Sequence, residues 1–302
     1  MKQDEYFESQ DFRDILKQYE RERQAGRRIY MDADDLADIA EYYINNKREK
    51  EARRVLADAM LLHPGNPEVM FLRAEMMFDN GKVEEALDAT RQILLSHPEH
   101  TTTKELYLEI LLDLQYCNEA VHVANELLNR DAYNAEVWHM LADAQSALGH
   151  FDEALESIEY GLSVNPDDHD LWHAKGVALI QQERFEDANV ILSEYLEKHP
   201  DDDHALYNRA IALTCLERYE EASEMLDLAT LASKGRSTEQ TQIYLQQAYI
   251  EAKLGHRNEA LLALDLAKEA KQLCPPKNGR HNEGMEDADY ENIKAQILDL
   301  LH

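Results

Sequence analysis

The chain has 302 residues, enough for two ordinary domains or one elongated one. It carries 31 Lys and Arg against 61 Asp and Glu, a formal charge of −30, so nucleic acid and anionic membranes would repel it and basic partners would suit it. Its 44% apolar residues can build a core; ten Gly and seven Pro are few for a turn-rich sheet protein, and Cys117, Cys215 and Cys274 lack the spacing of a disulfide framework or a zinc site.

The opening MKQDEYFESQDF contains no apolar run, and no later stretch is long and apolar enough to span a membrane, so a cytoplasmic location is expected. Residues 9–25 read as an amphipathic helix with Phe12, Ile15, Leu16 and Tyr19 on one face, and 1–32 is assigned to an N-terminal capping helix. From residue 33 the chain repeats itself. VEEAL at 83, FDEAL at 151, FEDAN at 185 and YEEAS at 219 stand 34 residues, or a multiple of 34, apart. The windows are 33–66, 67–100, 101–134, 135–168, 169–202, 203–240 (with four extra residues) and 241–273. Place 20 is Ala in every window: Ala52, Ala86, Ala120, Ala154, Ala188, Ala222 and Ala260. Place 10 is apolar throughout, and place 32 is Pro64, Pro98, Pro166 and Pro200, which end a helix. Each window shows two helical stretches broken near places 15 and 16, and one such hairpin cannot bury its apolar face without a stacked neighbour. Residues 274–285 read as a loop, and 286–302 as a C-terminal capping helix using Ile293, Ile297, Leu300 and Leu301.

The window AEVWHMLADAQSALGHFDEALESIEYGLSVNP, with Trp138, Leu141, Ala142, Gly149, Phe151, Ala154, Gly161 and Pro166 on the pattern's places, resembles the tetratricopeptide repeat family. Trp172, Gly176, Phe185, Ala188 and Pro200 repeat the match; Lys104, Glu251 and Arg257 depart from it. The resemblance implies an all-α fold, a right-handed α-solenoid (superhelix) of about seven helix-turn-helix repeats with terminal capping helices. It also implies a concave groove lined by places 2, 5, 9, 12 and 13 of the first helices. On that basis the expected protein-binding residues are Glu41, Phe71, Glu75, Asp79, Glu105, Glu109, Asp113, His139, Asp143, His173, Val177, His204, Tyr207, Ile211, Leu245 and Tyr249. Place 9 is acidic in the first four windows and then Val177, Ile211 and Tyr249, so the expected partner offers a basic segment followed by an apolar one.

The paired carboxylates Asp152–Glu153 invite an acid–base reading. Place 19 is acidic in all seven windows, however, and place 16 is Arg48, Lys82, His150, Arg184, Arg218 or His256 in six. A cation ending the first helix and an anion opening the second would each suit the helix dipole, so the pair is read as structural. Some family members clamp a chaperone's C-terminal carboxylate with Lys, Asn and Arg; here those places read His139, Asp143, Ala174, His204 and Asn208, and that activity is rejected. His139, His173, His204 and Asp143 are a minor candidate for a zinc or pH-sensitive cluster. No HExxH, GxxxxGK, GxSxG or dinucleotide loop is present. The resulting expectation is a non-catalytic scaffold with no cofactor, binding another protein or peptide. The alternative is a self-assembling structural adaptor.

Overall fold

The structure, a computed structural model, describes residues 6–27, 29–233, 237–273 and 287–301. The loop expected over 274–285 lies outside the described residues. Among the described residues there are sixteen helices of 12 to 17 residues and no strand. They are α1 (Gln10–Gln24), α2 (Ala33–Asn45), α3 (Glu49–Leu62), α4 (Pro67–Asp79), α5 (Val83–Ser96), α6 (Thr101–Asp113), α7 (Cys117–Leu128), α8 (Ala135–Ala147), α9 (Phe151–Val164), α10 (His169–Gln181), α11 (Phe185–Lys198), α12 (Asp203–Cys215), α13 (Tyr219–Ala232), α14 (Ser237–Lys253), α15 (Arg257–Leu273) and α16 (Asp287–Leu300). No described helix is long and apolar enough to cross a membrane.

Local chemistry sets the helix ends. Asp32, Asn66, Asn134, Asp168 and Asp202 precede α2, α4, α8, α10 and α12. Each side chain accepts a bond from the backbone N–H three residues on, at 2.9 to 3.2 Å. That satisfies one of the four orphan donors of a helix start. The turn inside each pair passes through a left-handed residue at place 15: Lys47, Gly81, Gln115, Gly149, Glu183, Glu217 and Gly255. The place-16 residue follows it. Place 16 therefore does not end the first helix, as the sequence suggested, but forms the N-cap of the second, with no side-chain capping bond. Its cation instead reaches forward to the place-19 acid: Arg48–Glu51 at 3.0 Å, Lys82–Glu85 at 2.8 Å, Arg184–Asp187 at 2.7 Å and Arg218–Glu221 at 2.6 Å. The carboxylate keeps its favourable position in the first turn and shields the helix from an ill-placed cation.

Two compact units divide the described chain, residues 1–110 and 111–302. In the first, Phe12 and Tyr19 of α1 join a core with Leu36, Ile39, Val55 and Val69. Tyr6, Phe7, Phe12 and Tyr42 pack as aromatic neighbours 4.9 to 5.8 Å apart, tilted except for the edge-on pair Phe7–Tyr42. Polar ties fix α1: the Tyr19 hydroxyl and Arg23 both donate to Asp58, at 2.9 Å and 2.7–2.8 Å, and Tyr43 donates to Glu20 at 3.0 Å. In the second unit, Leu192, Leu206, Leu213, Leu226 and Ile243 form one cluster. A further cluster joins Leu245, Ala248 and Leu264 to Tyr290 and Ile297 of α16. Leu300, expected on the buried face of α16, is 42% exposed, and Tyr290 is buried in its stead.

All seven place-20 alanines have zero exposure, so each second helix approaches its neighbours at a methyl group. Gly161 and Gly176 do the same with no side chain. A Cβ would fall 2.7 Å from Leu171 at the first and 2.8 Å from Leu192 at the second. The last pair differs from expectation: α14 begins at Ser237, four residues before Thr241, so the residues extra to the period extend the helix.

Candidate partner-binding surface

In the first unit α2 and α4, the first helices of successive pairs, pack side by side. Glu41 and Glu75 occupy the same place on them and are half-buried. Glu105 and Glu109 lie on α6, half-buried and exposed respectively, and Asp79 is exposed at the end of α4. Phe71 packs on the core edge with its ring 6.2 Å from that of His100. His100 in turn meets Glu68 at 3.0 Å and the Thr103 hydroxyl at 2.7 Å. The acids thus sit on a backbone whose spacing is fixed by the repeat, along with one aromatic anchor.

In the second unit α8, α10, α12 and α14 contact one another in succession. His139 and Asp143 pair along α8 at 3.6 Å. Asp143 keeps 52% of its side-chain surface. Burial by the surrounding protein still raises its pKa, with His139 opposing and Asp170 adding. Burial likewise raises the Tyr207 hydroxyl. Val177 is 37% exposed, Tyr207, Ile211 and Tyr249 are half-buried, with the two tyrosines packed on the core edge, and His204 is exposed, so α10, α12 and α14 carry a partly accessible apolar stripe. Asp113, assigned with the acids, falls in this unit and is half-buried.

A family model described as the tetratricopeptide repeat matches residues 14–189, more than half of the chain, and a second of the same description matches 179–240. The chain belongs to the tetratricopeptide repeat family. A tetratricopeptide repeat protein from Parabacteroides merdae shares its fold at 16% identity, with a TM-score of 0.68, covering 89% of this chain and 98% of its own. The C-terminal part of a repeat protein from Cytophaga hutchinsonii superposes with a TM-score of 0.57 at 15% identity, covering 79% and 96%. No curated protein matches the sequence. The tetratricopeptide fold is typically a non-catalytic scaffold for other proteins or peptides.

Against this repeat frame two expectations change. Leu245, expected to face a partner, is 3% exposed and belongs to the core cluster with Tyr290 and Ile297. Helix α16 packs on α14, and place 5 of the seventh repeat is covered from within. The histidines also part company. His139 pairs with Asp143, whereas His173 bonds Asp202 at 2.9 and 3.0 Å and lies 5.4 Å, ring to ring, from His204. Among the described residues no group of three or more His, Cys, Asp or Glu side chains could hold a metal ion.

The repeat pattern does not reveal what gathers around Asp202. This carboxylate caps α12, accepts from the Tyr195 hydroxyl at 2.9 Å and pairs with His173; His169 bonds Tyr195 in turn. The His199 ring packs 4.7 Å from both Tyr195 and His169. Burial alone would raise the Asp202 carboxyl, but the bonds from His173, the Ala205 N–H and Tyr195 hold it well below the ordinary range. A cap signal was available, since Asn or Asp recurs at place 34 as Asn66, Asn134, Asp168 and Asp202.

Proposed function

We propose that the protein is a non-catalytic scaffold that holds a segment of a partner protein against the inner faces of its first helices. The observation that carries this reading is the change at place 9: acids at Glu41, Glu75, Glu109 and Asp143, then Val177, Ile211 and Tyr249. A basic stretch of the partner meets Glu41, Glu75 and Glu109 of the first unit, with Glu105 and Asp79 adding charge and Phe71 an apolar anchor; Asp113 and Asp143 of the second unit carry the same sign. An apolar stretch meets Val177, Tyr207, Ile211 and Tyr249 in the second unit. The charge complement speeds encounter and selects the partner, and the apolar contacts hold it. Within each unit the side chains stand on packed helix faces, so their spacing there is set before a partner arrives and little ordering cost falls on the scaffold.

The test uses an array of synthetic peptides that vary basic and apolar stretches independently, with affinities measured by fluorescence anisotropy. Peptides carrying both stretches should bind best. Replacing Glu75 and Glu109 by Lys should weaken the basic-stretch peptides by about a hundredfold, near 3 kcal/mol, while circular dichroism stays unchanged. Equal binding by the doubly reversed protein would remove the acids from the site.

A further inference from the structure

The first unit also holds a cavity on residues outside the proposed partner surface. A cavity of about 410 Å³ opens between α3 and α4, lined by Leu56, Ala57, Met60, Met76 and Met77 with Arg53, Arg73, Asn80 and Lys82. Its floor is apolar and closed: Leu56 is 4% and Met76 7% exposed. Its size falls within the roughly 300–1,000 Å³ of small-molecule sites. Three methionines give it a polarizable, adaptable lining that accommodates an alkyl chain.

The charge is opposite to that of the molecule. In a chain with 61 acids and 31 bases, the lining has three cations and no carboxylate. Two of the cations are partly compensated from outside the lining: Arg53 by Glu49 at 3.4 Å and Lys82 by Glu85 at 2.8 Å. Arg53 also donates to Asn80 Oδ1 at 3.1 Å, while the Asn80 amide nitrogen donates to the Met76 carbonyl at 2.6 Å, so the polar edge is held in place. Arg73 is exposed and has no hydrogen bond or ion pair among the described residues. It supplies the uncompensated charge.

We propose that this cavity binds an aliphatic carboxylate, a small amphipathic anion whose alkyl chain lies on Leu56, Met60, Met76 and Met77 and whose head meets Arg73. A planar guanidinium matches a carboxylate in bidentate fashion, and the alkyl stems of Arg53 and Lys82 extend the apolar wall. A cationic amphiphile would face three like charges, and a neutral alcohol would forgo the ion pair. The site shares no residue with the acid ladder, so it stands or falls apart from the scaffold reading.

Isothermal titration of the full-length protein with decanoate tests it, with decanol and decyltrimethylammonium as head-group controls. Decanoate should bind one to one with a Kd on the order of 100 µM, and both controls at least about tenfold more weakly. Arg73→Glu should lose about tenfold or more and Arg73→Lys should retain part of the affinity, with unchanged circular dichroism in both. No saturable uptake of decanoate, equal uptake of the three probes, or wild-type affinity in Arg73→Glu would each overturn the proposal.

Discussion

Place 15 shows how a repeat tolerates imperfect residues. All seven turns need the left-handed conformation, with φ from 57° at Lys47 to 79° at Gly149 and Gly255, yet only three of them use Gly. An L side chain there costs on the order of 1 kcal/mol. Glu183→Gly should therefore stabilise the protein by about 0.5–1 kcal/mol, and Gly149→Ala should destabilise it by about 1 kcal/mol. A Cβ at Gly149 meets nothing within 4 Å, so the loss is conformational and not a clash. Urea midpoints at constant slope measure both; a fall for Glu183→Gly would mean that this side chain stabilises the turn in some other way. Asp202 gives a second residue-level test. Its folded carboxyl titrates below the ordinary 3.8, so its contribution is present above that pH and is lost as the pH falls through the acid range toward the folded value. Asp202→Asn keeps a capping oxygen but removes the charge facing His173. It should lower stability at pH 6 while leaving the difference from wild type smaller at pH 3, about where the unfolded carboxyl takes up its proton. An equal deficit at both pH values would assign the effect to packing alone.

At the scale of helices, contact distance is fixed by the smallest residues. Ala154 is fully buried in a cluster with Ala142, Ile158, Leu171 and Ala178. Ala154→Leu must force helices apart or push side chains off their rotamers, costing on the order of 1–3 kcal/mol. A thermal midpoint matching the wild type would show that the close approach there is not required. This part of the fold was legible in the sequence because the constraint is steric and recurs every 34 residues. What repeats only loosely was not legible. Place 16 was assigned to the wrong helix because periodicity locates a break without saying how the chain turns; the left-handed residue at place 15 decides that. Leu245 has the apolar character of a groove residue, and only the packing of α16 on α14 makes it core. The Asp202 cluster brings together His169 and His173 of α10, Tyr195 of α11, and His199 and Asp202 from the turn before α12; all five lie in the window 169–202, but no other window carries the set, so the repeat pattern does not express it. The cationic cavity escaped for another reason: Arg53 and Arg73 come from adjacent windows whose overall composition is acidic.

For the whole molecule the dominant electrostatic fact is the charge of −30. The ion pairs at places 16 and 19 are local and exposed, for example Arg184–Asp187 with side chains 51% and 55% accessible, and each contributes little to stability. They neutralise few of the 61 acids. The remaining carboxylates repel one another over distances that a Debye length of about 30 Å at 10 mM salt does not screen, and one of about 8 Å at 150 mM does. Adding salt therefore weakens the pairs slightly and the repulsion much more. The thermal midpoint should rise between about 10 and 150 mM NaCl, and over the same range affinity for a basic peptide should fall by about tenfold or more. The two responses have opposite signs because one charge excess opposes the compact state and attracts the partner. A midpoint that falls with salt would show that the exposed pairs outweigh the repulsion. Peptide affinity indifferent to salt would move recognition from the acids to the apolar stripe of α10, α12 and α14.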